Sequence, residues 1–158
     1  MARCRNRRRA SFKVDASLRS ARLRDEGARG SDLRADRIGI LGTSLGAATV
    51  MIAMGREPGL AAAWVDSSYA DFDQASSEYA VHKGYPGWVG LTAIPIGRVI
   101  GDAELGSIDP AEAARSLAGR PLFIAQGLAD TTVLPHHAVD LAAAAYAGGT
   151  SVVPWIVP

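Results

Sequence analysis

The chain has 158 residues, enough for one domain with its own core; 48% are hydrophobic and 6% aromatic, and the formal net charge is +1. A single cysteine, Cys4, rules out an internal disulfide and points to a reducing, cytoplasmic setting. No apolar run nears the length needed to span a bilayer, so no membrane partner is expected. The near-neutral total conceals an asymmetry: residues 1–37 hold 12 Lys and Arg against 5 Asp and Glu, and the rest of the chain holds 5 against 11. Residues 1–36 therefore read as a basic, disordered arm, in which Leu18, Leu23 and Leu33 are too sparse to define a buried helix face. A basic arm can contact nucleic acid, but no aromatic or motif pattern accompanies this one, so a solvated tail is the favoured reading. The arm need not belong to the fold that follows it. No apolar segment follows Arg7-Arg8-Arg9, which excludes a twin-arginine export signal.

From Arg37 the pattern changes to short apolar runs alternating with helical stretches, which argues for βαβ units around a mostly parallel sheet with flanking helices, an α/β fold over residues 37–158. Arg37 to Leu41 reads as the first strand and Leu45 to Met54 as an Ala-rich helix closed by Gly55. Leu60 to Val65 is the second strand, ending at Asp66-Ser67-Ser68. Residues 67–108 form a longer excursion with several aromatics, either a lid or insertion facing substrate, or ordinary helical packing over the sheet. Asp109-Pro110-Ala111-Glu112 resembles a capping box and opens a helix to about Leu117. Pro121 to Ala125 is the third strand, His136 to Tyr146 a helix ended by Gly148, and Val152 to Val157 the fourth strand, where Pro154 suggests an edge or a bulge.

The junction of the first strand and helix reads Gly42-Thr43-Ser44-Leu45-Gly46, a G-x-S-x-G sequence. The pattern alone is weak in a Gly-rich chain and gains meaning from the strand before it and the helix after it. A serine hydroxyl must stand clear of the sheet and lose its proton to a base before it attacks. A sharp strand-to-helix turn exposes it, and small residues at Gly42 and Gly46 are expected to relieve crowding where the helix crosses the strand. Leu45 would offer its backbone N–H to the oxyanion that develops on the attacked carbonyl. The bland alternative is a Gly-rich turn with an incidental serine.

Three segments carry a family resemblance: Asp36 to Ala48 around this turn, Val65-Asp66-Ser67-Ser68-Tyr69-Ala70-Asp71, and Arg120 to Asp130 with Val133-Leu134-Pro135 after it. Residues 37–158 thereby resemble the C-terminal half of an α/β-hydrolase, most similar to bacterial esterase-like members and to peptidases with a prolyl-oligopeptidase type of core. The resemblance implies a serine hydrolase with Ser44 as nucleophile and Asp130 as the acid that orients a histidine, Ser44 coming first along the chain. It implies a small-molecule ester or, less readily, amide substrate and no cofactor. Asp66 is the alternative acid, and an Asx-turn is the alternative role for Asp130.

The family's histidine follows the last strand, which here leaves only Pro158, so the expectation is a partial domain truncated before its base. His136 and His137 sit too close after Asp130 to return over Ser44 and read as first-turn or solvent residues; His82 has nothing to position it. Nor does an H-G-G-type segment precede Arg37 to supply a second oxyanion donor. No metal is expected, because no Cys/His cluster has ligand spacing and two adjacent helical histidines do not readily converge on one ion. The alternative function is a hydrolase remnant without turnover, acting by association, for which the first strand offers an exposed sheet edge.

Overall fold

The short apolar runs become strands and the longer Ala-rich runs helices in the computed structural model, which describes residues 37–92 and 109–158. The order is β1 (Ile38–Thr43), α1 (Leu45–Arg56), β2 (Leu60–Asp66), α2 (Phe72–His82), α3 (Pro110–Arg115), β3 (Leu122–Gly127), α4 (His136–Ala147) and β4 (Val152–Val157). Residues 87–92 are also helical. The proposed arm, residues 1–36, and residues 93–108 of the excursion lie outside the described residues. No helix among the described residues is long and apolar enough to cross a membrane.

The four strands pair in parallel in the order β1-β2-β3-β4. This is the expected α/β-hydrolase type of sheet, with differences at element ends. β1 starts one residue later than expected and runs two further, because Gly42 and Thr43 still pair with Val65 and Asp66. β3 likewise continues through Gln126 and Gly127, held by Ile156 and Val157. Pro154 sits in β4, which pairs only with β3 among the described strands, so its missing N–H costs no ladder bond to a further strand.

Strand alternation sends alternate residues to opposite faces. One register row, Ile40, Ala63, Leu122 and Val152, faces the core. There Met51 and Met54 of α1, Ala114 of α3 with Leu117 just beyond it, and Leu141 and Ala145 of α4 close over the sheet. The adjacent row, Leu41, Trp64, Phe123 and Val153, faces the other way. It stays apolar and largely exposed, with Trp155 against Trp64 and Phe123 at ring-centroid distances of 6.5 and 6.2 Å.

Asp109 precedes α3 with Pro110 behind it, as expected, but its side chain makes no bond to its own helix. Its Oδ1 instead accepts the Phe72 N–H at the start of α2 (3.1 Å), fixing one end of the excursion. Burial, reinforced by the charges of Asp71, Asp73 and Glu112, holds its carboxyl above the usual value of 3.8. Burial and the Asp109 charge push Tyr69 up to about 12. An acid with a raised pKa binds its proton more tightly in the folded chain. Asp109 therefore favours folding in acid, and that contribution disappears as pH rises through its folded value. Asp109→Asn keeps an oxygen for the Phe72 N–H without the charge. It is expected to be more stable than the parent near neutral pH, the difference closing below 3.8. Urea midpoints in the two conditions check this; a deficit at neutral pH would refute it.

Candidate active site

In an open parallel sheet, chemistry collects at the C-terminal ends of the strands. β1 delivers Ser44 there, β2 delivers Asp66 and Ser67, and the loop after β3 delivers Asp130. The register Thr43–Asp66 and Asp66–Ala125 brings these ends to one edge. The Ser44 N–H donates to the Asp66 carbonyl (2.9 Å), bonding the turn after β1 directly to the end of β2.

Ser44 lies at φ 53°, ψ −124°, a conformation that side chains rarely adopt. Its carbonyl accepts the N–H groups of Ala47 (2.9 Å) and Ala48 (3.2 Å), so the strained residue is anchored from both sides. Its hydroxyl makes no capping bond to α1, and the residue is exposed. Leu45 is the first residue of α1, so its N–H belongs to the donors that a helix start leaves without an intrahelical acceptor. A Cβ on Gly42 would collide with the Gly46 carbonyl and lie 2.8 Å from the Ala47 nitrogen. The crowding expected at Gly46 is not found: a Cβ there meets nothing within 4 Å among the described residues.

Asp130 Oδ1 accepts the N–H groups of Thr132 (2.8 Å) and Val133 (3.0 Å). This is the Asx-turn geometry considered from the sequence, and it also fixes the carboxylate. Oδ2 has only a long 3.5 Å contact to Gln126 Nε2 and keeps room for another donor. Asp66 differs: its Oδ1 accepts the hydroxyl of the adjacent Ser67 (3.1 Å), which is itself at φ 51°.

All three histidines fall among the described residues, and none of them bonds to Ser44 or Asp130. His82 is exposed at the end of α2, its ring 6.4 Å from that of Tyr79. His136 and His137 both stand in the first turn of α4, one of the two placements expected, and His136 is part-exposed. His137 is fully buried rather than a solvent residue. Its Nδ1 accepts the Ala70 N–H (3.3 Å), leaving Nε2 to donate to Glu78 Oε2 (3.0 Å). Burial holds its pKa below the usual 6.5 against the opposing pull of Glu78. His136 Nε2 lies 3.3 Å from Glu78 Oε1 and 3.0 Å from Gln74 Nε2. The two adjacent rings, expected not to converge, meet on one carboxylate with centroids 4.3 Å apart. Glu78 carries no sequence signal for this contact, since its histidine partners are 58 and 59 residues away.

The described geometry matches known proteins as follows. Residues 25–157 match the model of the prolyl oligopeptidase family. No curated protein matches the sequence. Among solved structures, the chain is similar to an acylaminoacyl peptidase of Pyrococcus horikoshii (TM-score 0.70, 16% identity, 92% of this chain and 23% of that one). It is similar to an esterase of Pyrococcus furiosus (TM-score 0.65, 18% identity, 91% of this chain and 52% of that one). It also resembles a puromycin-hydrolyzing peptidase of Mycobacterium tuberculosis (TM-score 0.68, 19% identity, 90% and 21%). At these identities the likeness establishes the fold. The chain spans about a fifth of the two peptidases and about half of the esterase.

Proposed function

The chain belongs to the prolyl oligopeptidase family of the α/β-hydrolase superfamily, and we propose that it contributes the nucleophile and acid of a serine hydrolase acting on carboxylic esters. The observation that carries this reading is the conformation of Ser44. A non-glycine residue held at φ 53°, ψ −124° between a strand and a helix, exposed at the C-terminal sheet edge, is what an attacking hydroxyl requires. In this reading Ser44 Oγ attacks the ester carbonyl while a base takes its proton, and the Leu45 N–H stabilises the oxyanion. The alcohol departs, water cleaves the acyl-enzyme, and the acid is released. Asp130, with Oδ1 pinned and Oδ2 open, orients an imidazole through its N–H.

The chain's own histidines stand elsewhere, so this imidazole is not one of them. That bears on substrate class. An amide leaving group needs a proton from the imidazolium, whereas an activated alcohol leaves without one. Esters with good leaving groups therefore turn over before amides. The single cysteine supports a reducing, cytoplasmic setting. β1, the last strand of the described sheet on its side, offers an edge for self-association by strand pairing.

The test is hydrolysis of a p-nitrophenyl ester with and without added imidazole, which supplies the missing base from solution. The parent chain should show slow turnover, below the ~10³–10⁴-fold over water that a triad without its base retains where the oxyanion hole is intact. Its rate should climb with imidazole more steeply than the buffer blank, and Ser44→Ala should abolish the excess. The same slope in parent and variant would favour the second reading, a remnant without turnover, which the distant histidines support.

A further inference from the structure

We propose that Glu78, His136 and His137 form a binding site for a divalent transition-metal ion of the zinc class, joining α2 to the start of α4. The three residues come from two separate elements, and their ligand atoms all lie within 4.8 Å of one another. Glu78 Oε1 is 3.3 Å from His136 Nε2, and Glu78 Oε2 is 3.0 Å from His137 Nε2. A tetrahedral zinc ion with bonds of ~2.0–2.1 Å holds its ligands ~3.3–3.4 Å apart, so each histidine nitrogen already stands near ligand spacing from a Glu78 oxygen, and the full set, within 4.8 Å, has to draw in around the ion. Two imidazoles and one carboxylate suit zinc, nickel or copper; magnesium and calcium prefer all-oxygen sets.

Access and charge agree with this. The His136 side chain is 39% exposed and that of Glu78 22%, so an ion can enter from solvent while His137 forms the buried floor. Gln74 Nε2 occupies the mouth, 2.9 Å from Glu78 Oε1 and 3.0 Å from His136 Nε2. With the His136 proton on Nδ1, its Nε2 and Glu78 Oε1 both accept from this one amide group, which a cation and its water would replace. Binding has one internal cost. His137 Nε2 must give up its proton to Nδ1, which surrenders the bond from the Ala70 N–H. Affinity should therefore fall below that of a preformed site.

The site is independent of Ser44 and of the hydrolase reading. The test is equilibrium dialysis of chelator-treated full-length chain against micromolar zinc, with thermal melting in parallel. One zinc per chain and a raised melting temperature are expected, with no response to magnesium. His136→Ala, at a part-exposed position the fold tolerates, and Glu78→Gln, which keeps a hydrogen-bonding partner for His137, should each weaken binding. The loss should exceed the ~10–100-fold that even an outer-shell change costs. Undiminished zinc binding in both variants, or none in the parent, overturns the proposal.

Discussion

Gly42→Ala is expected to dismantle the turn that presents Ser44. A methyl group at this position has no rotamer to escape into, because what it strikes is backbone: the carbonyl of Gly46 and the nitrogen of Ala47 in the first turn of α1. Relief requires the strand and the helix to separate. That would pull Ser44 away from the bond its N–H makes to Asp66 and from the strained φ and ψ that its neighbours impose. Overpacking of this kind costs about 2–3 kcal/mol. The expected result is a lower urea midpoint together with loss of the Ser44-dependent, imidazole-assisted ester hydrolysis. Gly46→Ala is the counterpart. Its methyl meets nothing among the described residues, and alanine favours a helix over glycine by about 1 kcal/mol. That variant should match or exceed the parent in stability and keep its activity. If the two variants behaved alike, the close approach of β1 and α1 would not be what shapes the turn.

This contrast also marks how far the sequence could be read. The turn was legible because its cause is local: a buried strand, a small residue and a helix fall within about a dozen positions, and periodicity exposes all three. The same locality explains why strand ends were misplaced by a residue or two. Gly42 and Gly127 are poor strand formers on their own, and Gly42-Thr43 and Gln126-Gly127 extend their strands because Val65-Asp66 and Ile156-Val157 lie beside them. Asp130 was legible as two alternatives that turn out to be compatible, since one oxygen makes the turn and the other stays open. The burial of His137 is illegible for a different reason. Whether His137 is solvent-facing or buried depends on Ala70 and Glu78, and nothing in the spacing of residues 70, 78 and 137 announces that contact.

Arg120 carries no signal in the sequence beyond its place in the segment leading into β3, yet it is expected to be the most costly single polar residue to remove among the described residues. Its guanidinium donates to four carbonyls: Leu117 from Nε (2.8 Å), Glu57 and Leu60 from Nη1 (2.8 and 3.1 Å), and Met54 from Nη2 (2.7 Å). Met54 lies in the last turn of α1, where helix carbonyls lack intrahelical partners and the helix dipole is negative, and Glu57 lies just past it, its carbonyl shared with the Leu60 N–H (3.2 Å). One planar cation thus closes α1, the turn into β2 and the approach to β3. Arg120→Met keeps much of the apolar stem and strips every donor. Hydrogen bonds to charged groups are worth ~1.5–3 kcal/mol each, and solvent will recover part of that at a half-buried site, so a net loss of ~3–5 kcal/mol is expected. Against a typical domain stability of ~5–15 kcal/mol, that is enough to leave a substantial unfolded fraction. Arg120→Lys separates charge from geometry. A lysine restores the cation at the end of α1 but cannot span four acceptors from one plane, so it should recover only a minor part of the loss. Full recovery by lysine in urea melts would show that the charge at the helix end, and not the four-way bridge, holds these elements together.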